Sequence, residues 1–249
     1  MIKRETIEKM TDLHLSHMAS IYKGQEENPN VISLPFDERF GILIDSEYDA
    51  RMTRRFMRLI KEAGFKEHST LDEIIYSPAR GLEKGQILTL GKCDWVKHGH
   101  NIIITGPTGT GKTYLTCALG MKACENNYRV FYYRLSRLLN DLEAARREYG
   151  YNKFLSGLRK INVIIIDDFA TSRLSIEESR NLLEIIDDRS KYLSCILTSQ
   201  IPPGNWYEAF EDPTFADAIM DRLIHNSYHI NLKGPSMRKI TTTINEKQL

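Results

Sequence analysis

The sequence predicts an α/β protein in which a parallel β-sheet is flanked by helices and preceded by a small helical domain. Two observations carry this prediction. Five short runs of β-branched and other apolar residues alternate with helical stretches, a pattern typical of parallel strands covered on both faces. A glycine-rich motif from Gly106 to Thr113 joins the first of these runs to a helical stretch.

The predicted elements alternate regularly after residue 90. The strands are expected at 101–105, 129–133, 162–167, 194–199 and 227–232, and the helices at 112–126, 134–160 and 176–191. Before residue 90 the apolar spacing is helical, with a long candidate helix from Phe40 to Ala63. Prolines and glycines interrupt the pattern between 77 and 97. We therefore expect two domains, a helical N-terminal domain over 1–80 and an α/β domain over 81–249.

Composition limits the classes of function. The chain has 249 residues, with 34 Lys and Arg against 33 Asp and Glu, so its formal net charge is only +1. Affinity for nucleic acid must therefore come from local basic patches. The four cysteines form no CxxC pair, which indicates reduced, intracellular usage. The N-terminus lacks the apolar stretch of a signal peptide, and no run approaches a membrane span of roughly 18 apolar residues. These features predict a cytoplasmic protein with no membrane partner.

The strongest signal is the GxxxxGK[ST] motif, which follows an apolar strand and opens a helix, as a phosphate-binding loop does. Its glycines let backbone N–H groups face a phosphate, and the start of the helix adds partial positive charge. Lys112 is expected to reach the β- and γ-phosphates, and the Thr113 hydroxyl to bind Mg²⁺. The predicted nucleotide contacts are Gly106, Pro107, Thr108, Gly109, Thr110, Gly111, Lys112, Thr113 and Tyr114.

Two acids stand at the carboxyl end of the predicted strand 162–167: Asp167 is its last residue and Asp168 follows it. Ligand sites lie at the carboxyl ends of parallel strands, so Asp167 is placed beside the phosphate loop. Asp167 is predicted to hold Mg²⁺ with Thr113, and Asp168 to orient the attacking water. For Asp168 an alternative stays open, because a second acid often simply ends a strand. A further strand lies between the loop and these acids, which favours an ATPase over a small nucleotide kinase.

The strand 194–199 also ends in polar residues, Thr198, Ser199 and Gln200. Taken alone, this pattern is most often an ordinary strand end. Since it follows the acidic strand, it predicts a contact from one of these side chains to the γ-phosphate or its water, and Gln200 is our candidate.

These residues together resemble the AAA+ ATPases, and more closely the IstB-like helpers of bacterial insertion sequences, with the DnaC-type helicase loaders as near relatives. The narrower part of the resemblance is the combination of TSQ and a following tryptophan at 198–206, DRLIHN at 221–226 and LKGPSMRK at 232–239. The resemblance implies an ATP- and Mg²⁺-dependent, DNA-stimulated ATPase. Such a protein oligomerises on double-stranded DNA, bends it and presents target sites to an IstA-like transposase.

The resemblance also implies roles for two arginines. Arg222 is expected to complete the ATP site of a neighbouring subunit as an arginine finger, and Arg238 to take the second-sensor position. Only 233–249 follow the last predicted strand, so a C-terminal lid is expected to be minimal or absent.

Two basic segments are candidates for sequence-independent, salt-sensitive contacts with DNA. Charge alone leaves each equally well explained as a solvated helix face, and the resemblance favours DNA for the first. The second is equally suited to docking the transposase or a neighbouring subunit. The first consists of Arg134, Arg137, Arg146, Arg147, Lys153, Arg159 and Lys160, and the second of Arg51, Arg54, Arg55 and Arg58.

Three other functions remain open on the sequence: a DnaC-like helicase-loading ATPase in DNA replication, a stand-alone kinase, and a DNA-binding assembly protein that uses ATP only structurally. Aromatic residues of the second strand and its flanks are expected in the core rather than stacked on bases. They are Tyr132, Tyr133, Tyr149 and Tyr151.

Overall fold

The structure, a computed structural model, describes residues 2–25 and 27–237. Its contacts divide the chain into two compact units, Met1–Arg58 and Leu59–Leu249. The helices are α1 (Ile2–Asp12), α2 (Ser16–Gln25), α3 (Pro29–Ile32), α4 (Phe36–Ala63), α5 (Lys84–Gly91), α6 (Asp94–Lys97), α7 (Lys112–Glu125), α8 (Leu135–Arg147), α9 (Tyr151–Leu158), α10 (Ile176–Arg189) and α11 (Pro213–Ile224). The strands are β1 (Asn101–Thr105), β2 (Val130–Arg134), β3 (Val163–Asp167), β4 (Ser194–Ser199) and β5 (Ser227–Asn231).

The first unit is helical, as the sequence predicts. Its core includes Met18, Leu43 and a buried carboxylate, that of Glu47 on α4. Glu47 accepts hydrogen bonds from the Met18 amide at 2.9 Å and from Arg51 Nε at 2.8 Å. Hydrogen bonds to the charged form, first from Arg51 and then from Met18, hold the pKa of the Glu47 carboxyl below its usual value. The buried charge of Glu47 is therefore compensated by hydrogen bonds and an ion pair within the unit.

The second unit is built on a five-stranded parallel sheet in the order β2-β3-β4-β1-β5. The residues of β1, β3 and β4 are all buried, which matches their continuous apolar sequences. The predicted parallel sheet is thus confirmed. The chain leaves β1 for the far edge and returns through β3 and β4, so the carboxyl ends of β1, β3 and β4 lie side by side.

Both faces of the sheet are covered. Ile103, Ile164 and Leu197 share one core with leucines and isoleucines of α8, α9, α10 and α11. Near the other face, a Cβ on Gly120 of α7 would lie 2.6 Å from Phe65 Cε1 and 2.9 Å from Ile165 Cδ1. Phe65 therefore packs closely on α7. This contact explains why the division between the units falls at Arg58 and Leu59, whereas the sequence predicts a boundary between residues 80 and 81.

A buried arginine joins several segments at the amino ends of β3 and β4. Arg189, at the end of α10, is 2% exposed. Its Nη1 donates to the Leu158 carbonyl at 3.1 Å, and its Nη2 donates to the Ser194 carbonyl at 2.8 Å. Nη2 also donates to the Ile161 and Asn162 carbonyls, each at 3.1 Å. One guanidinium thus satisfies main-chain acceptors from the end of α9, the approach to β3 and the start of β4.

The segment after β5 returns across the phosphate loop. The Lys233 amide donates to the Arg80 carbonyl at 2.9 Å, and the Met237 amide donates to the Gly109 carbonyl at 2.8 Å. The expectation of a minimal lid extends to 238–249, which lie outside the described residues. In the ranges 2–25 and 27–237, the structure contains no helix with both the length and the apolar character needed to cross a membrane.

Candidate nucleotide-binding site

The loop from Gly106 to Thr113 connects β1 to α7 and has a backbone that requires glycine. Gly106 has φ +147, and a Cβ there would lie 2.3 Å from the Leu232 carbonyl oxygen. Gly109 has φ +86, and its Cβ would lie 2.3 Å from Ser236 Oγ. The loop is therefore pressed against the segment that follows β5, and a side chain at either position would displace it.

Lys112 is folded into this loop. The residue is only 8% exposed. Its Nζ donates to the Gly106 carbonyl at 2.7 Å and to the Pro107 carbonyl at 3.0 Å. Thr110 is 1% exposed and donates from Oγ1 to the Pro107 carbonyl at 2.9 Å. Since Lys112 begins α7, the ammonium and the start of the helix combine their positive charge at one place. The arrangement suits a bound phosphate.

Three hydroxyl groups converge on the carboxylate of Asp167, at the end of β3. Thr113 Oγ1 lies 3.2 Å from Oδ2, and the hydroxyls of Thr198 and Tyr132 donate to Oδ1 and Oδ2. Asp167 is 1% exposed. Burial, followed by the contact with the Asp167 carboxylate, raises the pKa of the Tyr132 hydroxyl, so this phenol remains a proton donor. The geometry brings Thr113 and Asp167 together, as the sequence predicts.

Tyr132 is a residue whose part in this cluster was missed at the sequence level. It lies in β2, where it pairs with Ile165 of β3. It is half-buried, in agreement with the prediction that it packs in the core. Its hydroxyl, however, extends to Asp167 on the neighbouring strand. By contrast, Tyr149 is 100% exposed between α8 and α9, so the prediction that it lies in the core is wrong. Tyr149 has φ 57, the left-handed conformation of a turn residue.

Asp168 turns away from β3 into a cavity. Its φ is 60, and its amide lies 3.1 Å from Thr198 Oγ1, to which it donates. The carboxylate Oδ2 is 3.9 Å from Arg134 Nε at the end of β2. Arg134, predicted to contact DNA, therefore lies at the wall of the same cavity as Asp168 and the loop. Its place in the site follows from the parallel pairing of Arg134 with Asp167, which the sequence alone does not specify.

The cavity has a volume of about 480 Å³ and adjoins the phosphate loop. Gln200 lies on its wall and accepts a hydrogen bond from Thr108 Oγ1 at 2.9 Å, so it reaches the loop directly. Tyr114 also lines it and donates to Glu73 Oε2 at 2.8 Å. Burial, with the Glu73 contact second, raises the pKa of Tyr114 to about 12. The predicted contacts Thr108, Tyr114 and Gln200 thus share one cavity.

The chain between 66 and 82, which sequence reasoning did not assign to the site, also lines the cavity. Ile74, Ile75 and Leu82 provide apolar surface there. Arg80 donates from Nη2 to the Thr110 carbonyl at 2.9 Å, and burial lowers its pKa. The AGF and TLDE motifs at 63–73 make this stretch recognisable in the sequence. No local sequence pattern, however, predicts that it folds back against the phosphate loop.

Arg222 lies far from this cavity along the sheet, just before β5. The Asn101 side chain at the start of β1 donates to the Arg222 carbonyl at 3.3 Å. The Arg222 guanidinium donates from Nε to Asp187 Oδ1 at 2.7 Å and from Nη1 to the Ala218 carbonyl at 2.8 Å. It therefore sits at the amino end of the strands, whereas Asp167 is at their carboxyl end. Arg238 lies outside the described residues.

The basic segment after β2 is amphipathic. Leu135, Leu138, Leu139 and Leu142 of α8 are buried, while the basic side chains face outward. Arg146 donates to Glu177 and Asn181 and lies over the Tyr151 ring. Arg159 donates from Nε and Nη2 to the two carboxylate oxygens of Asp188.

Two other arginines of this segment form exposed pairs one turn apart, Arg137 with Asp141 and Arg147 with Glu143. Lys153 and Lys160 are exposed and form no salt bridge within the described part of the chain. The segment therefore divides into arginines held within the unit and cations available to a ligand.

The second basic stripe lies on α4 and is exposed. Arg51 and Arg54 both contact the buried carboxylate of Glu47, and Arg51 also donates to the His14 carbonyl at 3.0 Å. These two arginines contribute to the first unit's own structure. Arg55 and Arg58 are also exposed on this helix.

The described residues hold no cluster of three or more His, Cys, Asp or Glu side chains able to bind a metal on their own. The four cysteines are buried and free. A metal at the phosphate loop would instead need Thr113, Asp167 and oxygens of a bound phosphate. The Thr113 hydroxyl and the Asp167 carboxylate are hard oxygen donors side by side, which fits the preference of Mg²⁺ for oxygen and a partly hydrated shell.

The fold is similar to those of several solved proteins. AMPPCP-bound DnaA from Aquifex aeolicus aligns with a TM-score of 0.58 at 18% identity, over 75% of this chain and 57% of that one. DnaI aligns at 0.57 and 18% identity over 71% of this chain and 94% of that one, and the DnaC helicase loader at 0.51 and 19% over 59% and 86%. These likenesses confirm the predicted fold, a parallel sheet flanked by helices.

Sequence relatives are closer. A Pseudomonas fluorescens protein named as an ATP-binding protein of insertion sequence IS1162 is 39% identical over 203 residues, 81% of this chain and 88% of that protein. An insertion sequence ATP-binding protein of Sinorhizobium fredii is 34% identical over 239 residues, 96% of this chain and 98% of that protein. The family described as IstB-like ATP binding protein matches residues 8–244. This chain therefore belongs to the IstB-like ATP binding protein family.

Proposed function

We propose that this chain is a Mg²⁺-dependent ATPase that assembles on double-stranded DNA, remodels it and assists a partner transposase. The observation that carries the proposal is the convergence of Thr113, Thr198 and Tyr132 on Asp167 beside the phosphate loop. Family membership supports ATP binding, and relatives named for insertion sequences support a transposase as the partner. A similar DnaA structure is described with AMPPCP and single-stranded DNA, which supports the link to nucleic acid.

In this proposal the nucleotide lies across the cavity. The loop amides and the start of α7 bind the β-phosphate, and Lys112 Nζ contacts the β- and γ-oxygens. The adenine rests on the apolar wall made by Ile74, Ile75 and Leu82. Thr113 and Asp167 hold Mg²⁺, which when bound neutralises charge on the phosphate oxygens.

Hydrolysis requires a water aligned with the γ-phosphorus. Asp168 faces the cavity with its side chain 42% exposed, so its carboxylate can orient that water and accept a proton as the water oxygen bonds to phosphorus. The bond to the β,γ-bridging oxygen breaks and ADP leaves with that electron pair. Gln200, held by Thr108, contacts the γ-phosphate, while Arg134 compensates the charge of Asp168.

Arg222 serves a neighbouring subunit. Its place at the amino end of the strands separates it from its own subunit's Asp167, so it reaches a γ-phosphate only across an interface. An arginine supplied in this way stabilises charge in the transition state and makes hydrolysis depend on assembly.

Contacts with the DNA backbone come from the outward cations of the segment 134–160. Arg137, Arg147, Lys153 and Lys160 are exposed, and the exposed ring of Tyr149 lies among them in sequence. Arg146 and Arg159 are engaged within the unit and act mainly by fixing α8 and α9. Arg55 and Arg58 remain a second candidate surface.

The proposal is tested by measuring ATP hydrolysis with and without duplex DNA, while particle size is recorded on the same samples. We expect ATP and DNA together to produce a large assembly and faster hydrolysis. In a salt series, Lys153→Ala/Lys160→Ala should weaken DNA binding and make the slope of log affinity against log salt shallower by about 2, because each lysine releases about one counterion.

Two lysines outside the segment provide the matched control. Lys97 is exposed and Lys122 is half-buried, and they are paired with Asp94 and Glu125. Lys97→Ala/Lys122→Ala should leave the salt slope unchanged although it removes the same charge. A monomer that hydrolyses ATP at the same rate without DNA would contradict the proposal, and transfer of phosphate to a small acceptor would favour a kinase. Capture of a replicative helicase instead of a transposase would favour helicase loading.

Tyr132→Phe tests the cluster around Asp167. Removing the hydroxyl leaves Asp167 with two of its three donors, so its carboxylate is less well oriented toward Mg²⁺. Since partners that orient a metal ligand affect metal affinity, we expect about tenfold more Mg²⁺ to be needed for half-maximal binding of a fluorescent ATP analogue. Binding measured without Mg²⁺ should not change.

The matched control is Tyr133→Phe. Tyr133 is the next residue of β2 and points to the opposite face of the sheet, away from Asp167. It is half-buried like Tyr132 and loses the same atom. An equal shift in Mg²⁺ requirement for both variants would show that the effect is one of strand stability rather than of ligand orientation.

A further inference from the structure

The first half of α4 carries a row of exposed apolar side chains. Phe36 is 75% exposed, Phe40 45%, Ile44 46% and Tyr48 61%. They are spaced four residues apart, so they form one continuous ridge along the helix. The rings of Phe36 and Phe40 are stacked with centroids 5.8 Å apart. We call these four residues the α4 ridge.

The ridge takes no part in the core of its own unit. The buried residues of this stretch are Leu43 and Glu47, each one position before a ridge residue and therefore about 100° around the helix. With side chains of this size, the exposed apolar area is about 400 Å², the size at which a surface patch marks an interaction site rather than ordinary exposure.

The open flank of the ridge is acidic. Asp37, Asp45 and Asp49 each follow a ridge residue by one position and so lie along its other side, and all three are exposed. Among residues 36–50 the one basic side chain is Arg39, which is half-buried. Such a surface repels DNA phosphates and anionic lipids, and it attracts a basic partner.

We propose that the α4 ridge is a docking site for a basic amphipathic helix of a partner protein. A ridge of residues four apart fits the groove between side chains of another helix, typically at a crossing angle of about −50°. The apolar face of that helix covers Phe36, Phe40, Ile44 and Tyr48, and its lysines or arginines face the aspartates. The docking proposal rests on the proposed function in one respect: if the chain assists a transposase, the transposase is the partner that supplies this helix.

The test uses the full chain and a fluorescein-labelled synthetic helix of about 20 residues, with leucines on one face and lysines beside them. A twin peptide carries glutamate in place of every lysine. Fluorescence anisotropy should give at least tenfold tighter binding of the lysine peptide. Phe40→Ser/Ile44→Ser should weaken that binding at least tenfold, and Asp45→Lys/Asp49→Lys should reverse the preference in favour of the glutamate twin.

Leu13→Ser is the control, because Leu13 is 68% exposed in the same unit but lies outside the ridge. It should bind the lysine peptide as the unchanged protein does. Equal binding of both peptides, or ridge variants that bind normally, would overturn the proposal. So would sedimentation showing that Phe40→Ser/Ile44→Ser breaks up an existing dimer, since a second copy would then cover the ridge. DNA-stimulated hydrolysis, measured separately on each variant, shows whether the proposed function stands when the docking site fails.

Discussion

Lys112→Ala should reduce ATP hydrolysis at least 100-fold and abolish measurable binding of a fluorescent ATP analogue. The ammonium is buried in the concave face of the loop, where its interaction with phosphate is screened less than at the surface. Loss of one such preorganised contact typically costs about 10²–10³ in rate. The alanine methyl group also leaves the Gly106 and Pro107 carbonyls without the hydrogen bonds that Lys112 Nζ donates.

The same helix supplies the control for this experiment. Lys122 is near the end of α7, paired with Glu125 three residues later and 43% exposed. Lys122→Ala makes the same chemical change to the same helix, and exposed pairs of this kind contribute about 1 kcal/mol or less to stability. It should retain binding and hydrolysis. Binding of ATP by Lys112→Ala at the unchanged affinity would mean that nucleotide does not use the loop.

Arg222→Ala should lose hydrolysis by about 10³-fold or more when assayed alone, and regain activity when mixed with Asp167→Asn. Arginine fingers contribute about 10³–10⁵ to the rate of phosphoryl transfer. The Arg222→Ala subunit keeps a complete loop and Asp167, whereas the Asp167→Asn subunit keeps the arginine. At a mixed interface one subunit can supply the site and the other the finger. Steady-state hydrolysis across a titration of the two variants measures this rescue.

Arg180→Ala is the control for the mixing experiment. Arg180 is exposed on α10, the helix that also carries Asp187, and it contributes neither to the cavity nor to Arg222. It should hydrolyse ATP normally. If no mixture of Arg222→Ala and Asp167→Asn recovers activity while both variants keep the normal melting temperature and assemble, Arg222 does not act between subunits.

Local patterns were sufficient to predict the sheet and the phosphate loop. The strands β1, β3 and β4 each contain three or four consecutive apolar residues, and the loop is a single contiguous motif, so both depend on residues that are neighbours in the sequence. Asp167 was predictable for the same reason, because it ends such a run. These are interactions that depend on residues close in sequence or on the general rule for strand ends.

The rest of the site depends on contacts between distant segments. Tyr132 reaches Asp167 across 35 positions, and Thr198 reaches it across 31. The register of β2, β3 and β4 decides which hydroxyl contacts the Asp167 carboxylate. The apolar pattern of a fully buried strand does not predict that register. The wall formed by Ile74, Ile75 and Leu82 likewise depends on how a loop folds back on α7.

Through the four carbonyls that it binds, Arg189 links the basic segment 134–160 to the strands that carry Asp167 and Thr198. Arg189 ties the end of α9 to the amino ends of β3 and β4, and those two strands carry Asp167 and Thr198 at their other ends. Buried strands transmit displacement rather than absorb it, because close-packed interiors are poorly compressible. If the chain binds DNA through this segment as proposed, tension on α9 is expected to shift the Asp167 carboxylate, so that strain in the DNA would change the rate of hydrolysis.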